Sequence, residues 1–520
     1  MKKTISAFTL LLLVFQLQAQ KQFHPQIESL FDPALKPFYF GVASGDPEQT
    51  KVVLWTKIYP ESTAPVAVKW EVATDTFMQN IVATNTVTTD SSSAYTVKVK
   101  VDGLQPNQHY FYRFTTNSGI SAVGRTKTAP DKEVSNLKFG VVSCNNYQHG
   151  YFNAYGILAQ QYDIDAVIHL GDYIYEYGVS NNKKKPQVRN HIPETEILSL
   201  VDYRSRYAQY RLDKDLMEAH RLHPFITEWD DHEFANNAYK DGAGNHQEDK
   251  EGSWEARKAQ ARKVYFEWLP IADNPEESII RKLNYGGLAE IFMLDERAEA
   301  RSKQLESPTD PNLFNKERVM LGENQAAWLT QGIEQSSAKW KIISNQVLFS
   351  ELDAHKLSKK HARLMDSWDG YPMERKEMMD SFNNHGVKNI VVITGDIHTS
   401  WAFDLVQNPQ NKSIYDPKTG KGVIGAEFVT PSMSSHNLDE RVSKGFAKFI
   451  ASLLRGKKTN PHLRFNDFTS HGFILLDLNA QRAKGTWFYC KTIKEHSLEY
   501  STKNSWSTPI NQNKLSKDKY

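Results

Sequence analysis

Between residues 38 and 130, hydrophobic and polar positions alternate in short stretches that are separated by polar breaks. Stretches rich in β-branched and aromatic residues recur roughly every dozen positions, at 52–55, 67–70, 81–87, 94–101 and 109–115. Short alternating strands at this spacing are typical of a β-sandwich. The pattern therefore predicts a small all-β domain over residues 36–130.

Beyond a polar, proline-containing linker at residues 126–134, the pattern changes to apolar strands that alternate with longer helical stretches. Predicted strands lie at 137–143, 166–170, 225–229, 290–294, 340–347, 389–393, 425–430, 472–478 and 485–490. Predicted helices lie at 155–161, 202–210 and 251–269. Such alternation predicts a layered α/β domain over residues 134–500, with its site in the loops that follow the strands. Residues 501–520 are predicted to form a loosely attached tail.

Length and composition add two constraints. A chain of 520 residues exceeds one ordinary core, which supports two domains. With 40% hydrophobic residues, 24% charged residues and a net charge of +2, the composition is that of a globular protein. This balance gives no reason to invoke nucleic acid or an acidic membrane surface. No oligomeric state is specified by the residues, and a monomer is compatible with them.

The N-terminus has the features of a secretion signal over residues 1–19. Lys2 and Lys3 precede an apolar stretch at 5–17, and the small residue Ala19 follows it. There is no twin-arginine pair, and no cysteine follows the stretch to accept a lipid. Because the apolar run is too short to span a bilayer, the mature protein is predicted to be exported, either periplasmic or extracellular.

The sequence contains only two cysteines, Cys144 and Cys490. In an exported protein, one disulfide between them is the simplest expectation. However, Cys144 directly follows a strand-like run, where its side chain would be displayed as a ligand. Both interpretations stay open on these residues, with the ligand role favoured.

Metal-type side chains follow four of the predicted strands. The groups are Cys144 with Asn145 and Asn146; Asp172 with Tyr175; Asp230, Asp231, His232 and Glu233; and Asp396 with His398. A single acid at a strand end is often only a helix cap. Four such groups, two of them containing a histidine, instead indicate a metal site.

The spacing and chemistry of these groups narrow the kind of metal site. Asp396 and His398 are two positions apart, so on an extended segment both face one ion. Thiolate and phenolate ligands on one ion favour a small, highly charged metal such as ferric iron. An acid placed between two ions bridges them, which favours a two-metal hydrolytic centre.

The same motifs resemble those of the PhoD-type alkaline phosphatases, within the metallophosphoesterase superfamily. The resemblance rests on residues 142–145, 171–176, 229–233 with Asn236 and Asn237, and 395–399, and further on 293–297 and 366–371. The preceding β-domain matches the usual N-terminal module of that family, and residues 104–114 resemble the tyrosine corner of fibronectin type III domains. The resemblance covers nearly the whole mature chain. It implies a metallophosphoesterase-like layered α/β/β/α catalytic domain preceded by a fibronectin III-like sandwich.

The resemblance also implies the metals and their ligands. Ferric iron (Fe3+) would be held by Cys144, Asp172, Tyr175 and His398. Calcium (Ca2+), or another divalent ion such as Zn2+, would lie near Asp172, Asp231 or Asn236, and Asp396. Asp172 would then bridge the two ions, and the loss of Asp172 would disable both.

The implied activity is hydrolysis of a small phosphate ester, monoester or diester, by metal-activated attack of water on phosphorus. His232 is the residue expected to face the leaving oxygen, and Arg297 is a candidate phosphate contact because its guanidinium is a bidentate donor. Residues 298–300 depart from the family pattern, which leaves the substrate preference open.

Two alternatives remain at this point. The first is a phosphodiesterase or phospholipid-cleaving enzyme that uses the same site. The second is a non-enzymatic secreted binding protein with a degenerate metal site. Of the other histidines, His169 is predicted to be structural, and His436 is a candidate to line the pocket.

Overall fold

A computed structural model describes residues 22–180, 187–358, 362–456 and 458–518. The predicted signal peptide at 1–19 lies outside these residues. Within the described ranges, none of the helices combines the length and the apolar character that crossing a bilayer requires.

The fold is built mainly from β-strands. In chain order they are β1 (Val42–Gly45), β2 (Val52–Lys57), β3 (Val66–Ala73), β4 (Ile81–Thr89), β5 (Thr96–Val101), β6 (His109–Thr116), β7 (Gly119–Ile120), β8 (Gly124–Lys127), β9 (Asn136–Val142), β10 (Ala166–Leu170), β11 (Pro224–Glu228), β12 (Ala238–Tyr239), β13 (Gly242–Ala243), β14 (Arg281–Tyr285), β15 (Ala289–Met293), β16 (Trp340–Asn345), β17 (Ile390–Thr394), β18 (Ser400–Val406), β19 (Val423–Val429), β20 (Leu463–Asp467), β21 (Gly472–Asn479), β22 (Arg482–Cys490), β23 (Tyr500–Pro509) and β24 (Ser516–Lys517). Most predicted strands agree with these bounds to within one or two residues.

Helices fill the connections. The α-helices are α1 (Asn153–Ala159), α2 (Leu200–Arg211), α3 (Lys214–Leu222), α4 (Glu248–Glu251), α5 (Trp254–Trp268), α6 (Gly322–Gln335), α7 (Pro372–Asn384) and α8 (Lys444–Leu454). Short 3-10 turns occur at Pro25–Leu30, Pro33–Leu35, Ser91–Ser93, Trp368–Gly370 and Leu438–Glu440. The predicted helix at 251–269 is α5, which begins where the Ser253 hydroxyl accepts a hydrogen bond from the Ala256 nitrogen.

Two large sheets pack face to face to form the core of the second domain. One has ten strands in the order β24-β23-β22-β21-β9-β10-β11-β1-β2-β5, and the other has seven in the order β14-β15-β16-β17-β19-β18-β20. At the centre of each sheet the strands are parallel, β9-β10-β11 in the first and β15-β16-β17-β19 in the second. Side chains from both sheets form one buried cluster that includes Phe139, Ile168, Ile342 and Phe428.

Helices cover the outer face of each sheet. Helices α1, α2, α3 and α5 pack against the ten-stranded sheet in a cluster that contains Val167 and Phe225. Helices α6 and α7 cover the seven-stranded sheet, where Leu329 and Phe382 meet Val392. Parallel strands need such crossover helices, because a strand can only restart in the same direction after the chain returns. The predicted α/β/β/α layering is confirmed.

The N-terminal region is a β-sandwich, as predicted. A five-stranded sheet of β3, β4, β6, β7 and β8 packs against β2 and β5 through a core that includes Leu54, Val72 and Phe114. The tyrosine corner is present, since the Tyr110 hydroxyl accepts a hydrogen bond from the Gln105 nitrogen at 2.7 Å.

One sheet of this sandwich is continuous with the ten-stranded sheet. Strand β1 pairs in parallel with β11, and Gly45 lies opposite Phe225. Strand β1 then pairs antiparallel with β2, and β2 with β5. The N-terminal region therefore shares backbone hydrogen bonds with the strand that precedes Asp230.

The C-terminal residues require a correction. They form the edge of the ten-stranded sheet rather than a loosely attached tail, because β23 pairs with β22 along its length and β24 pairs with β23. The Leu515 nitrogen also donates a hydrogen bond to the Asp404 carboxylate at 2.8 Å, which ties this segment to the seven-stranded sheet. The many serines and threonines of β23 interrupt the apolar alternation that predicts a strand, so its pairing is not visible in the sequence.

Candidate metal centre

The four predicted strand ends meet at one edge of the paired sheets. Cys144, Asp172 and Asp230 each follow one of the three neighbouring parallel strands β9, β10 and β11. Asp396 follows β17 at the centre of the facing sheet. The carboxyl ends of parallel strands point the same way, so loops from both layers converge there.

Four of the candidate ligands have a left-handed backbone. The φ angles are 60° at Cys144, 57° at Asp172, 58° at Asp396 and 60° at His398. Residues other than glycine seldom adopt this conformation, and they do so mainly where a site requires a sharp change of direction. Each loop thereby changes direction shortly after its strand ends.

The first donor group contains a thiol, a carboxylate, a phenol and an imidazole. Ligand atoms of Cys144, Asp172 and His398 all lie within 4.8 Å of one another. The Tyr175 hydroxyl lies 2.7 Å from Asp172 Oδ2 and 3.2 Å from His398 Nε2. The structure thus brings together all four residues expected for the first ion.

Neighbouring groups orient these donors. His398 Nδ1 faces the backbone carbonyl of His436 at 3.1 Å, so it donates there and leaves the lone pair of Nε2 toward the site. Burial lowers the pKa of His398 to about 3, which keeps the ring neutral. The Ser435 hydroxyl lies 2.7 Å from the Tyr175 hydroxyl and 2.8 Å from the Cys144 carbonyl. A neutral, oriented imidazole is the form that binds metals.

A second group of donors adjoins the first. Ligand atoms of Asp172, Asp231 and His232 lie within 4.8 Å of one another, as do those of Asp230, Asp231 and Asp396. Asp172 therefore belongs to both neighbourhoods. Asp230 Oδ2 and Asp231 Oδ1 are buried without a hydrogen-bond partner in the described structure. Buried, unpartnered carboxylate oxygens are the atoms that a cation would satisfy.

The electrostatics of this region also favour cations. Burial, together with repulsion between neighbouring carboxylates, raises the pKa of Asp172 and Asp396 well above the usual range. Burial raises the pKa of Asp230 to about 6 in the same way. Asp231 is the exception, because Arg297 and His232 outweigh its burial and lower its pKa to about 2. Such a concentration of acids is stabilised by bound positive charge.

Arg297 lies among these carboxylates rather than at an open surface. Its side chain is fully buried, with Nε 2.5 Å from Asp230 Oδ1 and Nη1 3.0 Å from Asp366 Oδ2. Nη2 lies 3.4 Å from Asp396 Oδ1. Its donors are directed at protein acids in this arrangement, so its role as a phosphate contact stays a prediction.

His232 is held by a carboxylate that the sequence reasoning did not assign. Its Nδ1 lies 2.6 Å from Glu176 Oε2, and Glu176 Oε1 accepts hydrogen bonds from the Asn236 backbone nitrogen and the Asn245 amide. Burial opposes charge on His232, but Asp172, Glu176 and Asp231 together raise its pKa well above the ordinary value. The Glu176 contact orients the His232 ring at the site. Asn236 is half-buried, and its described hydrogen bond is made by the backbone.

Glu233 braces the loops beneath the site. Its carboxylate accepts hydrogen bonds from the backbone nitrogens of Asp172 at 3.0 Å, Tyr173 at 2.6 Å and Asp230 at 2.9 Å. The ends of β10 and β11 are therefore held together by one side chain. The motif alone does not reveal this role of Glu233, because two of its three partners, Asp172 and Tyr173, are about sixty positions away.

Gly171 allows the same two loops to approach. Its φ is +90°, and a β-carbon there would lie 2.4 Å from the Asp230 nitrogen. Gly171→Ala is expected to lower the free energy of unfolding by about 3 kcal/mol, since overpacking adds to backbone strain. Gly252→Ala is the matched control, because Gly252 has a φ of +86° with no atom within 4 Å of the added carbon. Urea unfolding of both variants measures the difference, and equal losses would contradict the packing argument.

The remaining candidates have clear positions. His169 is buried and contacts Asn145 at 3.0 Å and the Tyr155 hydroxyl at 2.9 Å, contacts that suit the structural role predicted for it. His436 lies at the site through its carbonyl, while its ring stacks on His149 with centroids 3.5 Å apart. Cys144 and Cys490 are both free thiols, so the disulfide alternative is not realised in this structure.

Two family models match this chain, one over the N-terminal β-sandwich and one over the α/β domain. The model for the PhoD-like phosphatase N-terminal domain matches residues 26–130, and the PhoD-like phosphatase model matches residues 139–487. Alkaline phosphatase D of Bacillus subtilis (strain 168) is 36% identical over 506 residues, spanning 92% of this chain and 82% of the relative. A solved structure of PhoD aligns with a TM-score of 0.82 at 34% identity, covering 94% of this chain and 93% of that chain.

Paired sheets that align with a solved structure of PhoD, with acids, a thiol and an imidazole at their converging strand ends, define the class of the protein as a phosphatase. The chain belongs to the PhoD-like phosphatase family, and the resemblance seen in its motifs is confirmed. It is therefore a phosphoric ester hydrolase. The alternative of a non-enzymatic binding protein has no support from these findings.

Proposed function

We propose that this protein is an exported, metal-dependent phosphatase that hydrolyses small phosphate esters at the candidate metal centre. The observation that carries the proposal is the convergence of Cys144, Asp172, Tyr175 and His398 beside a second cluster of acids. Thiol, phenol and imidazole on one side and carboxylates on the other make two donor sets of different chemistry. Export rests on the signal-like segment at residues 1–19.

Two ions fit these donor sets. Cys144, Asp172, Tyr175 and His398 would hold ferric iron, because thiolate and phenolate match a small, highly charged cation. Asp172, Asp231, Asn236 and Asp396 would hold calcium or another divalent ion such as Zn2+, since all four offer oxygen atoms. When bound, the two ions would supply the Lewis acidity that activates water and neutralises charge on the phosphoryl oxygens.

The protein side chains would position the substrate and move a proton. In this proposal, water attacks phosphorus in line, and the bond from phosphorus to the leaving oxygen breaks. His232, held through Nδ1 by Glu176, directs its other ring nitrogen away from that contact and would give a proton to the leaving oxygen. Arg297 would lie behind the acids and balance their charge, and it would contact phosphate only if its carboxylate partners are taken by the ions.

The colour of the protein tests the ferric assignment. Ferric iron bound by thiolate or phenolate absorbs visible light, so the purified protein is expected to be tinted and to bleach on reduction. Tyr175→Phe is expected to shift or weaken the visible band, because a phenolate donor is lost. Metal analysis and an absorption spectrum before and after reduction are the measurements.

Tyr173→Phe is the matched control for this experiment. Tyr173 is equally buried and lies two residues away, but its hydroxyl contacts His220 Nε2 at 2.9 Å rather than the donor group. Its replacement is expected to leave the band unchanged. A colourless, active protein that contains zinc would contradict the ferric assignment and leave the hydrolysis intact.

The substrate class is tested separately. Turnover of a mono- and a bis-nitrophenyl phosphate by the same preparation distinguishes phosphomonoesterase from phosphodiesterase activity. A marked preference for the diester would favour the alternative of a phosphodiesterase or phospholipid-cleaving enzyme on the same donors. Failure to hydrolyse either ester with both metals present would contradict the proposal.

A further inference from the structure

Helix α8 presents two phenylalanines to solvent. Phe446 is 50% exposed and Phe449 is 59% exposed, and their rings stack with centroids 6.2 Å apart. Ala447, Ala451 and Leu454 on the opposite face are buried. Exposed aromatic rings this close together are unusual on a folded surface, where large apolar groups are mostly covered. The helix therefore has a buried face and a second apolar face that nothing in the described structure covers.

The charged residues of segment 441–466, which contains helix α8, are all basic, and two acids, Asp439 and Glu440, directly precede it. Between residues 441 and 466 the sequence contains no acidic residue. Its basic residues are Arg441, Lys444, Lys448, Arg455, Lys457, Lys458 and Arg464. A net charge of +2 for the whole chain conceals this local excess. A basic segment around exposed aromatic side chains is the composition of an interfacial helix.

In the part of the chain that the structure describes, the cations around the phenylalanines are not held in ion pairs, although the Asp439 carboxylate lies near enough to Lys444 for their charges to attract. Arg441, Lys444, Lys448 and Arg455 are exposed. Among the residues that the structure describes, none of the four lies within ion-pair distance of a carboxylate. We name these four residues, together with Phe446 and Phe449, the basic aromatic patch.

The patch adjoins the candidate metal centre. The buried face of α8 packs in a cluster with Trp401, Phe403 and Phe468, against which Ile397 also packs. Ile397 lies between the candidate ligands Asp396 and His398. The helix is therefore continuous, through packed side chains, with a loop of the site.

We propose that the basic aromatic patch docks the protein onto an anionic lipid bilayer. The phenylalanine rings would insert at the level of the headgroups, and the surrounding cations would lie against lipid phosphates. Charge complementarity favours a lipid surface, because a bilayer offers a continuous plane of phosphates next to an apolar layer that accepts both rings. Docking would hold the nearby site at the headgroup plane. The inference does not rest on the proposed function, since it concerns binding alone.

Vesicle flotation with the full exported protein tests the proposal. The probes are vesicles of phosphatidylcholine alone and vesicles of phosphatidylcholine mixed with phosphatidylglycerol. Binding is expected only to the anionic vesicles and is expected to weaken as salt is added. The double variant Phe446→Ser/Phe449→Ser is expected to bind at least about tenfold more weakly, and Lys444→Gln/Lys448→Gln about tenfold more weakly.

Matched controls separate the patch from general surface effects. Phe77 is 82% exposed in the N-terminal region, and Phe77→Ser is expected to leave binding unchanged. Lys412 is an exposed lysine outside the patch, and Lys412→Gln is expected to have no effect. Hydrolysis of nitrophenyl phosphate by the patch variants should equal that of the unchanged protein, which shows that they are folded.

Three results would overturn the proposal. They are equal binding to neutral and anionic vesicles, equal binding by the patch variants, and binding to soluble polyglutamate without binding to vesicles. The last result would instead make the patch a site for acidic polymers. Because flotation requires no turnover, vesicle binding by an inactive protein would separate this inference from the proposed phosphatase function.

Discussion

Asp172→Asn is expected to abolish the binding of both metal ions together. The Asp172 carboxylate lies within 4.8 Å of the Cys144 and His398 donors and also of the Asp231 and His232 donors. An asparagine in its place keeps the size of the side chain but removes the charge that both ions would share. Because metal ions supply several kcal/mol of transition-state stabilisation, kcat/KM for a nitrophenyl ester is expected to fall by about 10³-fold or more.

Elemental analysis of purified protein checks this result alongside the kinetics. Asp404→Asn is the matched control. Asp404 lies in β18 and is also fully buried, but it pairs with Arg464 of β20, outside the site. The control is expected to lower stability while both metals remain bound. Retention of either metal at full occupancy in Asp172→Asn would mean that Asp172 does not bridge the two ions.

His232→Ala is expected to lower kcat by about 10² to 10⁴-fold while the metal content stays unchanged. The proposed proton donor is lost in this variant, whereas the carboxylate, thiol and phenol donors remain. Loss of a positioned general acid slows the step in which the leaving oxygen departs, so substrates with a poor leaving group should suffer most. Steady-state kinetics on two esters of different leaving-group pKa measure this dependence.

Glu176→Gln is expected to lower kcat less than His232→Ala does. The glutamine keeps the shape of the side chain but weakens the 2.6 Å contact that orients His232, so a loss of about 10-fold in kcat is expected. The metal content of this variant should also be unchanged. A metal-depleted His232→Ala protein would make His232 a ligand instead, which its position near Asp172 and Asp231 would then explain.

The site could be located from the sequence because its chemistry lies at strand ends. An apolar run followed by an acid or a thiol is a local signal, and it identified the loops of Cys144, Asp172, Asp231 and Asp396. Cys144 and Asp172 also share a left-handed backbone, a feature that is not visible in a sequence. Tyr175 was singled out by family resemblance alone, since tyrosines also surround it at positions 173 and 177.

The supporting residues could not be predicted because their partners are distant in the chain. Glu176 and His232 are 56 positions apart, and Glu233 contacts the loop of Asp172 from 61 positions away. Periodicity reports which face of an element is buried and not which element it meets. For the same reason, Arg297 was expected at a phosphate, while its contacts with Asp230 and Asp366 emerge only from the fold.

Two strand pairings were hidden in the same way. The pattern of residues 36–130 predicted an all-β region, but it carried no sign that β1 would pair with β11. At the other end, β23 is polar and alternates weakly, so its place at the edge of the ten-stranded sheet was missed. In both cases the backbones of two strands are hydrogen-bonded to each other, and the side-chain pattern of one strand does not specify which strand lies beside it.

The pairing of β1 with β11 has a consequence for how this protein unfolds. A module joined only by a linker can melt by itself, whereas one that shares a sheet must break that sheet's hydrogen bonds to leave. The N-terminal sandwich and the catalytic layers should therefore belong to one cooperative unit. A chimaera that takes its N-terminal sandwich from a relative would have to keep the hydrogen bonds between β1 and β11, because β11 leads directly into Asp230. The N-terminal sandwich therefore supports the strand that positions Asp230 and is part of the same structural unit as the site.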